Sequence, residues 1–332
     1  MSNFSPWQGI KLAAKGIGNY ITHHPLVISF EVTLSCNCNC HHCDLGGIRK
    51  NEKQLRPDEY GRLTKLLNPP VVQISGGEPL LRRDIVDIVR AIKQPGGLPY
   101  VIFVTNGVLL NESNYLELHE AGVNQFSVSL DFPDERHDEF RQHRGLFEHL
   151  NQTIPRLAQF GHHNITLNSA ITRANLRDIL SLAQKAKDWG VSISYSAYTA
   201  LRTGDENYCI DTKEELELLE QNINELIELK KQNRHISNSK MVLLNTLKFF
   251  RQGYIANCQA GKRFFVIMPD GSFVPCSHHR NKYSSQKEMI RDFSQNNQCG
   301  GCYVAIRSYS DQSLWKQLKN IPSYGKLLFA PR

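Results

Sequence analysis

The period of the apolar positions changes several times along the chain, and each change marks an element. After Pro25, short runs rich in Val, Ile and Phe alternate with stretches whose apolar residues recur every three or four positions. The short runs predict strands over Leu26–Leu34, Val71–Ser75, Tyr100–Thr105, Gln125–Leu130, Asn164–Ile171 and Val191–Tyr195. Helical patterns fall between them, near residues 57–67, 82–94, 112–121, 146–159 and 175–188. Strands separated by helices predict a parallel sheet with right-handed crossovers. The repeat of about 30 residues is that of a βα barrel, with six units in place of eight. The expected fold class is therefore α/β, a partial (β/α)6 barrel with its site where the loops leave the C-terminal strand ends.

Residues 5–22 predict a short amphipathic helix, with Trp7, Ile10, Ala14, Ile17 and Ile21 on one face and Lys11 and Lys15 on another. Gly9, Gly16 and Gly18 weaken it. Two readings stand: a helix packed on the main domain, or a contact with a membrane surface or lipid substrate, where Trp and Lys suit the interface. From about Asp211 long helices follow, over 213–233 and 238–252. Residues 258–302 are loop-rich, with a hairpin expected at Pro269-Asp270-Gly271. The expected organisation is an N-terminal segment 1–25, a barrel 26–210, a helical linker 211–257 and a small α+β extension 258–332.

With 332 residues, 40% hydrophobic and 21% charged, the composition is that of a globular protein of one large and one small domain. Lys and Arg number 39 against 32 for Asp and Glu, a net charge of +7 spread along the chain, which gives no reason to expect nucleic acid. No apolar run approaches the roughly 18–20 residues that span a bilayer, and no signal peptide is visible, so a cytoplasmic location is expected. The cysteines are Cys36, Cys38, Cys40, Cys43, Cys209, Cys258, Cys276, Cys299 and Cys302. All but Cys209 fall into two tight groups. Clustered thiols in a long chain without secretory features point to metal, not to a disulfide framework.

The segment CNCNCHHC, Cys36 to Cys43, directly follows the first strand. Cys36, Cys40 and Cys43 have the spacing C-x3-C-x2-C, and three thiolates on one loop can hold three irons of a [4Fe–4S] cluster while the fourth stays open. The same residues with His41 or His42 also suit zinc, with Cys38 as a fourth ligand or a spare thiol. Strand two ends in Ser75-Gly76-Gly77-Glu78-Pro79, where glycines permit close backbone approach and a carboxylate can meet an ammonium group. Strand three ends in Thr105-Asn106-Gly107 and strand four in Ser127-Val128-Ser129-Leu130-Asp131. Strand five carries Asn168 and Ser169, with Asn175 as an N-cap.

These motifs, in this order, resemble the radical S-adenosylmethionine (SAM) superfamily. The resemblance implies that the open iron binds the amino and carboxylate groups of SAM. An electron from the cluster then yields a 5′-deoxyadenosyl radical that abstracts a substrate hydrogen atom. It implies that Gly76, Gly77 and Glu78 meet the methionine amino group, and that His42 replaces the aromatic residue the family places near the adenine. Asn106, Ser129 and Asn168 are implied as further SAM contacts, and the run from Arg136-His137-Asp138 to Arg141 and Arg144-Gly145 resembles the family's loop after strand four. Cys38 is then spare.

Near the other end, Cys258 and Cys276 frame Gly271 in the pattern C-x12-G-x4-C, and Cys299-Gly300-Gly301-Cys302 follows. Four such thiolates suit zinc or a [4Fe–4S] cluster. Beside the first motif, the pattern resembles the SPASM/twitch extension of radical SAM enzymes. The count of four implies the shorter, twitch-like version, with one auxiliary [4Fe–4S] cluster assisting electron transfer. His278 and His279 are read as surface residues or neighbours of the ligands, with replacement of one ligand by either as the alternative.

The implied activity is that of an oxidoreductase fed by a reductant such as flavodoxin or ferredoxin, acting on a small-molecule, sugar or lipid-linked substrate. The 25 residues before strand one are too few for a peptide-leader domain, which makes a peptide- or protein-modifying maturase the alternative. An alternative of another class is a zinc-binding structural or nucleic-acid-binding protein. Tyr195, Tyr198 and Arg202, near the end of strand six, are read either as facing a substrate at the barrel mouth or as core or surface residues. Cys209 is read either as a hydrogen-atom donor or as a small buried apolar residue.

Overall fold

The computed structural model describes residues 6–311. Residues 1–5 and 312–332, which the predicted terminal segments include, lie outside the described residues. All six predicted strands form: β1 (Val27–Glu31), β2 (Val71–Ser75), β3 (Tyr100–Thr105), β4 (Gln125–Ser129), β5 (Ile165–Ile171) and β6 (Ser192–Ala197). Helix α1 (Pro6–Ile21) precedes them. The crossovers are α2 (Pro57–Leu67), α3 (Ile85–Ile92), α4 (Glu112–Ala121), α5 (Arg136–Arg141) with α6 (Leu146–Ala158), and α7 (Ile179–Asp188). Each strand pairs in parallel with the next.

The expected hairpin around Gly271 forms as β7 (Phe264–Ile267) and β8 (Phe273–Val274), with Gly271 at φ +86°, but it does not stand apart from the barrel. β7 pairs in parallel with β1, so the sheet has eight strands in the order β6-β5-β4-β3-β2-β1-β7-β8 and stays open. The sequence carries the reason: Phe264-Phe265-Val266-Ile267 is apolar at every position and all four residues are buried, as a strand covered on both faces requires. At the other edge, residues 235–238 run along β6 through bonds of Ile193 and Tyr195, which covers unpaired strand groups. α8 (Lys213–Gln232) packs on α7, and α9 (Lys240–Gln252) on α8 and β6. α10 (Gln286–Asp292) and α11 (Ala305–Ser310) complete the described chain.

Strand alternation decides what each residue meets. Ile28, Phe30, Val72, Ile74, Val101, Phe103, Phe126, Val128, Leu167 and Ile193 are fully buried under the helices, Phe30 edge-on to Tyr60 of α2. The alternate positions are mostly polar on every strand but β3, which carries Ile102 and Val104 there: Ser29, Glu31, Gln73, Ser75, Ser127, Ser129, Asn168, Ser194 and Ser196. Ser29 and Ser75 hydrogen-bond across two strands at 2.9 Å.

α1 lies at the end of the barrel where the strands begin. The Asn19 amide donates to the carbonyls of Pro25 (2.8 Å) and Asn68 (2.9 Å), and Arg263 stacks on the Tyr20 ring at 3.9 Å. Pro25, Asn68 and Arg263 stand just ahead of β1, β2 and β7. The cysteine loop follows β1 at the opposite end, so α1 does not reach it. Among the described residues, no helix is long and apolar enough to cross a membrane.

Candidate active site

The loop after β1 is fastened to the ends of the next two strands by backbone and amide bonds. Gly77 N–H donates to Thr33 O and Glu78 N–H to Ser35 O, both at 2.8 Å. A Cβ on Gly76 would stand 2.1 Å from Thr33 O, and one on Gly77 2.1 Å from Ser35 O, so only glycine permits this approach. The backbone that the two glycines admit is that of the cysteine loop itself.

Glu78 is fully buried. Its carboxylate accepts from Leu80 N–H (3.0 Å), the Thr105 hydroxyl (2.8 Å) and Asn106 N–H (2.7 Å). Burial pushes its pKa up to about 7 against those three donors. Of the roughly four lone-pair sites of a carboxylate, three are taken by the protein. Asn106 extends the chain of bonds, its side-chain amide donating to Asn37 Oδ1 (2.7 Å) and towards Cys36 Sγ (3.6 Å).

Cys36, Cys38 and Cys40 lie together. The buried Cys38 thiol bonds to both neighbours. With that help, and with Arg141 nearby, Cys36 is held down to about 6 and Cys40 to about 7 although burial opposes both. Cys43 N–H donates to Cys40 O at 3.1 Å, and burial pushes the Cys43 thiol up. Thiolate is the form that ligates iron, so donors aimed at these sulfurs suit a cluster. The three-thiol set fits the group.

Two residues that the sequence reading named without assigning a role stand behind Cys40. Asp131 is fully buried after β4, and its Oδ2 accepts from Arg141 Nη2 (2.5 Å) and Nε (2.7 Å). Burial works against ionisation of Asp131, and the guanidinium outweighs it and holds the carboxyl below its usual range. Arg141 Nη1 reaches Cys40 Sγ at 3.8 Å, while the carbonyls of Arg141 and Phe140 accept from Asn39 and His41 N–H. The last turn of α5 thus carries the cysteine loop. The sequence showed them as a polar strand end and a residue of the loop after it, and nothing in their spacing said that they pair.

His42 stacks on Phe140, ring centroids 4.7 Å apart and 9° from parallel, and its Nδ1 is buried without a hydrogen-bond partner. Burial pulls its pKa down to about 4, so it stays neutral. Ser129 and Asn168 are register partners on β4 and β5, and Asn168 Oδ1 is likewise buried and unpartnered. Unpartnered buried polar atoms at this end of the barrel are what a polar ligand would satisfy, so the arrangement fits SAM.

The second cysteine set converges as well. Cys258, Cys276, Cys299 and Cys302 all line one cavity of about 90 Å³, together with Ser29, Glu31, Gln73 and Ser75 from the polar face of β1 and β2. Burial raises Cys276 to about 11 and Cys258 and Cys302 to about 12. His279 N–H donates to Cys276 Sγ, and His279 Nε2 lies against Cys299 Sγ, each at 3.4 Å. Arg280 clamps both Glu31 oxygens at 2.9 Å, which ties the loop after β8 to the end of β1. Cys209 does not line this cavity. Among the described residues, no three His, Cys, Asp or Glu side chains converge as ligands of a single ion do. A four-iron cluster needs no such convergence, because each thiolate meets its own iron.

The residues expected near β6 divide. Tyr195 is buried on the helix side, its hydroxyl donating to Ile179 O at 2.7 Å, because strand parity sends Ser194 and Ser196, not Tyr195, inward. Tyr198 is buried in its own loop, bonded to Thr203 and Asp205 O. Arg202 does approach the site: it pairs with Asp44 at 2.6 Å, beside Cys43, while its Nη2 and both ring nitrogens of His278 are buried and unpartnered.

Residues 30–186 match the radical SAM superfamily. An AdoMet-dependent heme synthase of Methanosarcina barkeri is 33% identical over 195 residues, 55% of this chain and 53% of that one. A probable GTP 3′,8-cyclase of Methanothermobacter marburgensis is 25% identical over 279 residues, 80% of this chain and 89% of that one. The chain spans about half the length of the first of these and of a second heme synthase, from Oleidesulfovibrio alaskensis. Among solved structures, anSMEcpe with bound AdoMet covers 90% of this chain and 96% of its own at a TM-score of 0.63. Streptococcus suis SuiB bound to precursor peptide SuiA covers 87% and 70%, also at 0.63. Both are 17% identical and share the fold. The superfamily works with a [4Fe–4S] cluster and SAM, and residues 30–186 of this chain, which carry the cysteine loop and most of the open parallel barrel, are a radical SAM domain.

Proposed function

We propose that Cys36, Cys40 and Cys43 hold the [4Fe–4S] cluster, and that SAM lies between it and the strand ends. When bound, the cluster supplies the electron that cleaves SAM to methionine and a 5′-deoxyadenosyl radical. The single observation that carries this reading is the three-thiol loop with amide and guanidinium donors aimed at Cys36 and Cys40. Glu78 contributes its one remaining acceptor, and Gly76 and Gly77 fix the distance between its loop and the cysteines. Asn106 orients Cys36, His42 offers a flat neutral ring, and Ser129 with Asn168 supplies polar contacts. Cys38 shapes the loop without being required as a ligand.

Cys258, Cys276, Cys299 and Cys302 hold an auxiliary [4Fe–4S] cluster in their shared cavity. With all four thiols committed, that cluster is closed to substrate and serves electron transfer. Residues 26–210 form the catalytic body and the segment from 258 its twitch-like extension, joined through β7. The substrate is a small molecule, in keeping with relatives named for heme synthesis and GTP cyclisation. The lipid-linked form of that reading loses its support, since α1 sits at the end of the barrel away from the cysteines. A flavodoxin or ferredoxin serves as reductant.

The test is anaerobic reconstitution with iron and sulfide, followed by iron counting and assay of reductive SAM cleavage to 5′-deoxyadenosine. About eight irons per chain are expected, four for each cluster, with cleavage that Cys40→Ala abolishes. Cleavage with about four irons, unchanged by Cys276→Ser, would remove the auxiliary cluster. Tightly bound zinc without cleavage would remove the whole reading.

A further inference from the structure

We propose that the closed end of the barrel, opposite the cysteines, is a docking face for an anionic membrane surface. α1 exposes Trp7 (72%), Ile10 (54%) and Ile21 (61%), with Ala14 also exposed between them. At 100° per residue these four positions fall within about 60° of arc, a single stripe. The opposite side of the helix is docked, with Gly9 and Asn19 buried. Nothing in the described protein covers the stripe, and large apolar side chains grouped this way mark an interaction surface. At the end of α2, which the Asn19–Asn68 hydrogen bond ties to the docked side of α1, Leu66 is 74% exposed beside the exposed Lys65.

Charge selects the partner. Lys11 is exposed on the flank of the stripe, Lys15 lies one turn further on, and α1 contains no Asp or Glu. The described chain ends at the same place, because Ser310 O accepts from Arg263, which stacks on Tyr20 of α1. A Trp-bearing apolar stripe edged by lysines, on a helix without an acidic residue, matches a bilayer interface carrying negative headgroups. Docked this way, the chain turns its barrel mouth away from the lipid. The face anchors the protein and takes no part in the chemistry.

The experiment is sedimentation of the full-length chain with vesicles of phosphatidylcholine alone or mixed with phosphatidylglycerol, at low and high salt. Binding to the mixed vesicles only, weakened by salt, is expected. Each lysine near such a surface is worth about fivefold in partitioning, so Lys11→Glu with Lys15→Glu should lower binding at least tenfold. Trp7→Ser with Ile10→Asn should abolish it. Trp7, Ile10 and Lys11 are exposed and Lys15 is half-buried at the helix surface, so far-UV circular dichroism and SAM cleavage should match the parent protein. Absence of vesicle binding, or binding equal in the parent and both variants, overturns the proposal. So does a dimer that Trp7→Ser with Ile10→Asn converts to monomer without any vesicle binding, which assigns the face to a second copy. Failure of SAM cleavage in every protein, including the parent, would count against the proposed chemistry and leave the vesicle result standing.

Discussion

Replacing Asp131 by Asn keeps the shape of the side chain and the acceptor for Ala170 N–H, but removes the charge that faces Arg141. Asp131 is fully buried and the Arg141 side chain is 11% exposed, so the guanidinium is left uncompensated in a medium that hydrates it poorly. Breaking one side of such a buried pair costs about 3–5 kcal/mol. Unfolding entropy for a chain of this length is about 0.7 kcal/mol per kelvin, so the apoprotein midpoint should fall by about 4–7 °C. Adding Arg141→Met removes the stranded charge, which is the source of most of that cost, so most of the loss should return. Iron loading should not return with it, because Arg141 also donates to Cys40. Thermal unfolding and iron counts on the single and double variants separate the two roles. A midpoint within 1 °C of the parent for Asp131→Asn, or a double variant no more stable than the single, would refute the reasoning; the 1 °C margin corresponds to about 0.7 kcal/mol.

Gly77→Ala forces a Cβ to 2.1 Å from Ser35 O, a backbone atom that cannot yield locally. It should destabilise the protein by about 2 kcal/mol or more and loosen the cysteine loop, read as a lower urea midpoint and poorer iron loading. Glu78 is protonated in the folded protein up to about pH 7 but ionised above about 4.5 when unfolded, so its contribution to stability falls as pH rises through that window. The apoprotein's stability relative to Glu78→Gln should therefore decline between pH 5 and 8, and a difference constant across those pH values would contradict the burial assigned to this carboxylate. Cys38→Ser should keep four irons' worth of first-site loading and SAM cleavage, and loss of the cluster in that variant would make Cys38 a ligand.

The six barrel strands were legible because their apolar runs and intervening helical periods are local signals, and each closes its hydrogen bonds with the next strand in sequence. The hairpin turn at Gly271 was legible for the same reason. Its partner was not, since the pairing of β7 with β1 joins residues more than 200 positions apart and depends on which strand edge is free. Tyr195 shows a finer limit: a strand was predicted correctly over that stretch, yet one position of parity decides whether a side chain meets substrate or helix.

The sequence by itself determined the chemistry that the chain brings: two groups of thiols with recognisable spacing, and a motif at the end of each strand. Only the tertiary structure decided how those motifs are used. It placed four distant cysteines around one cavity beside the polar face of β1 and β2, because folding β7 onto β1 carries the extension to the barrel mouth. It tied the Gly-Gly-Glu loop to the cysteine loop, set a buried Asp131–Arg141 pair behind Cys40, and put α1 at the opposite end of the barrel. Spacing along a chain records which donors are present. Which donors meet is fixed by long-range strand pairing and by burial, and neither is a local property of the sequence.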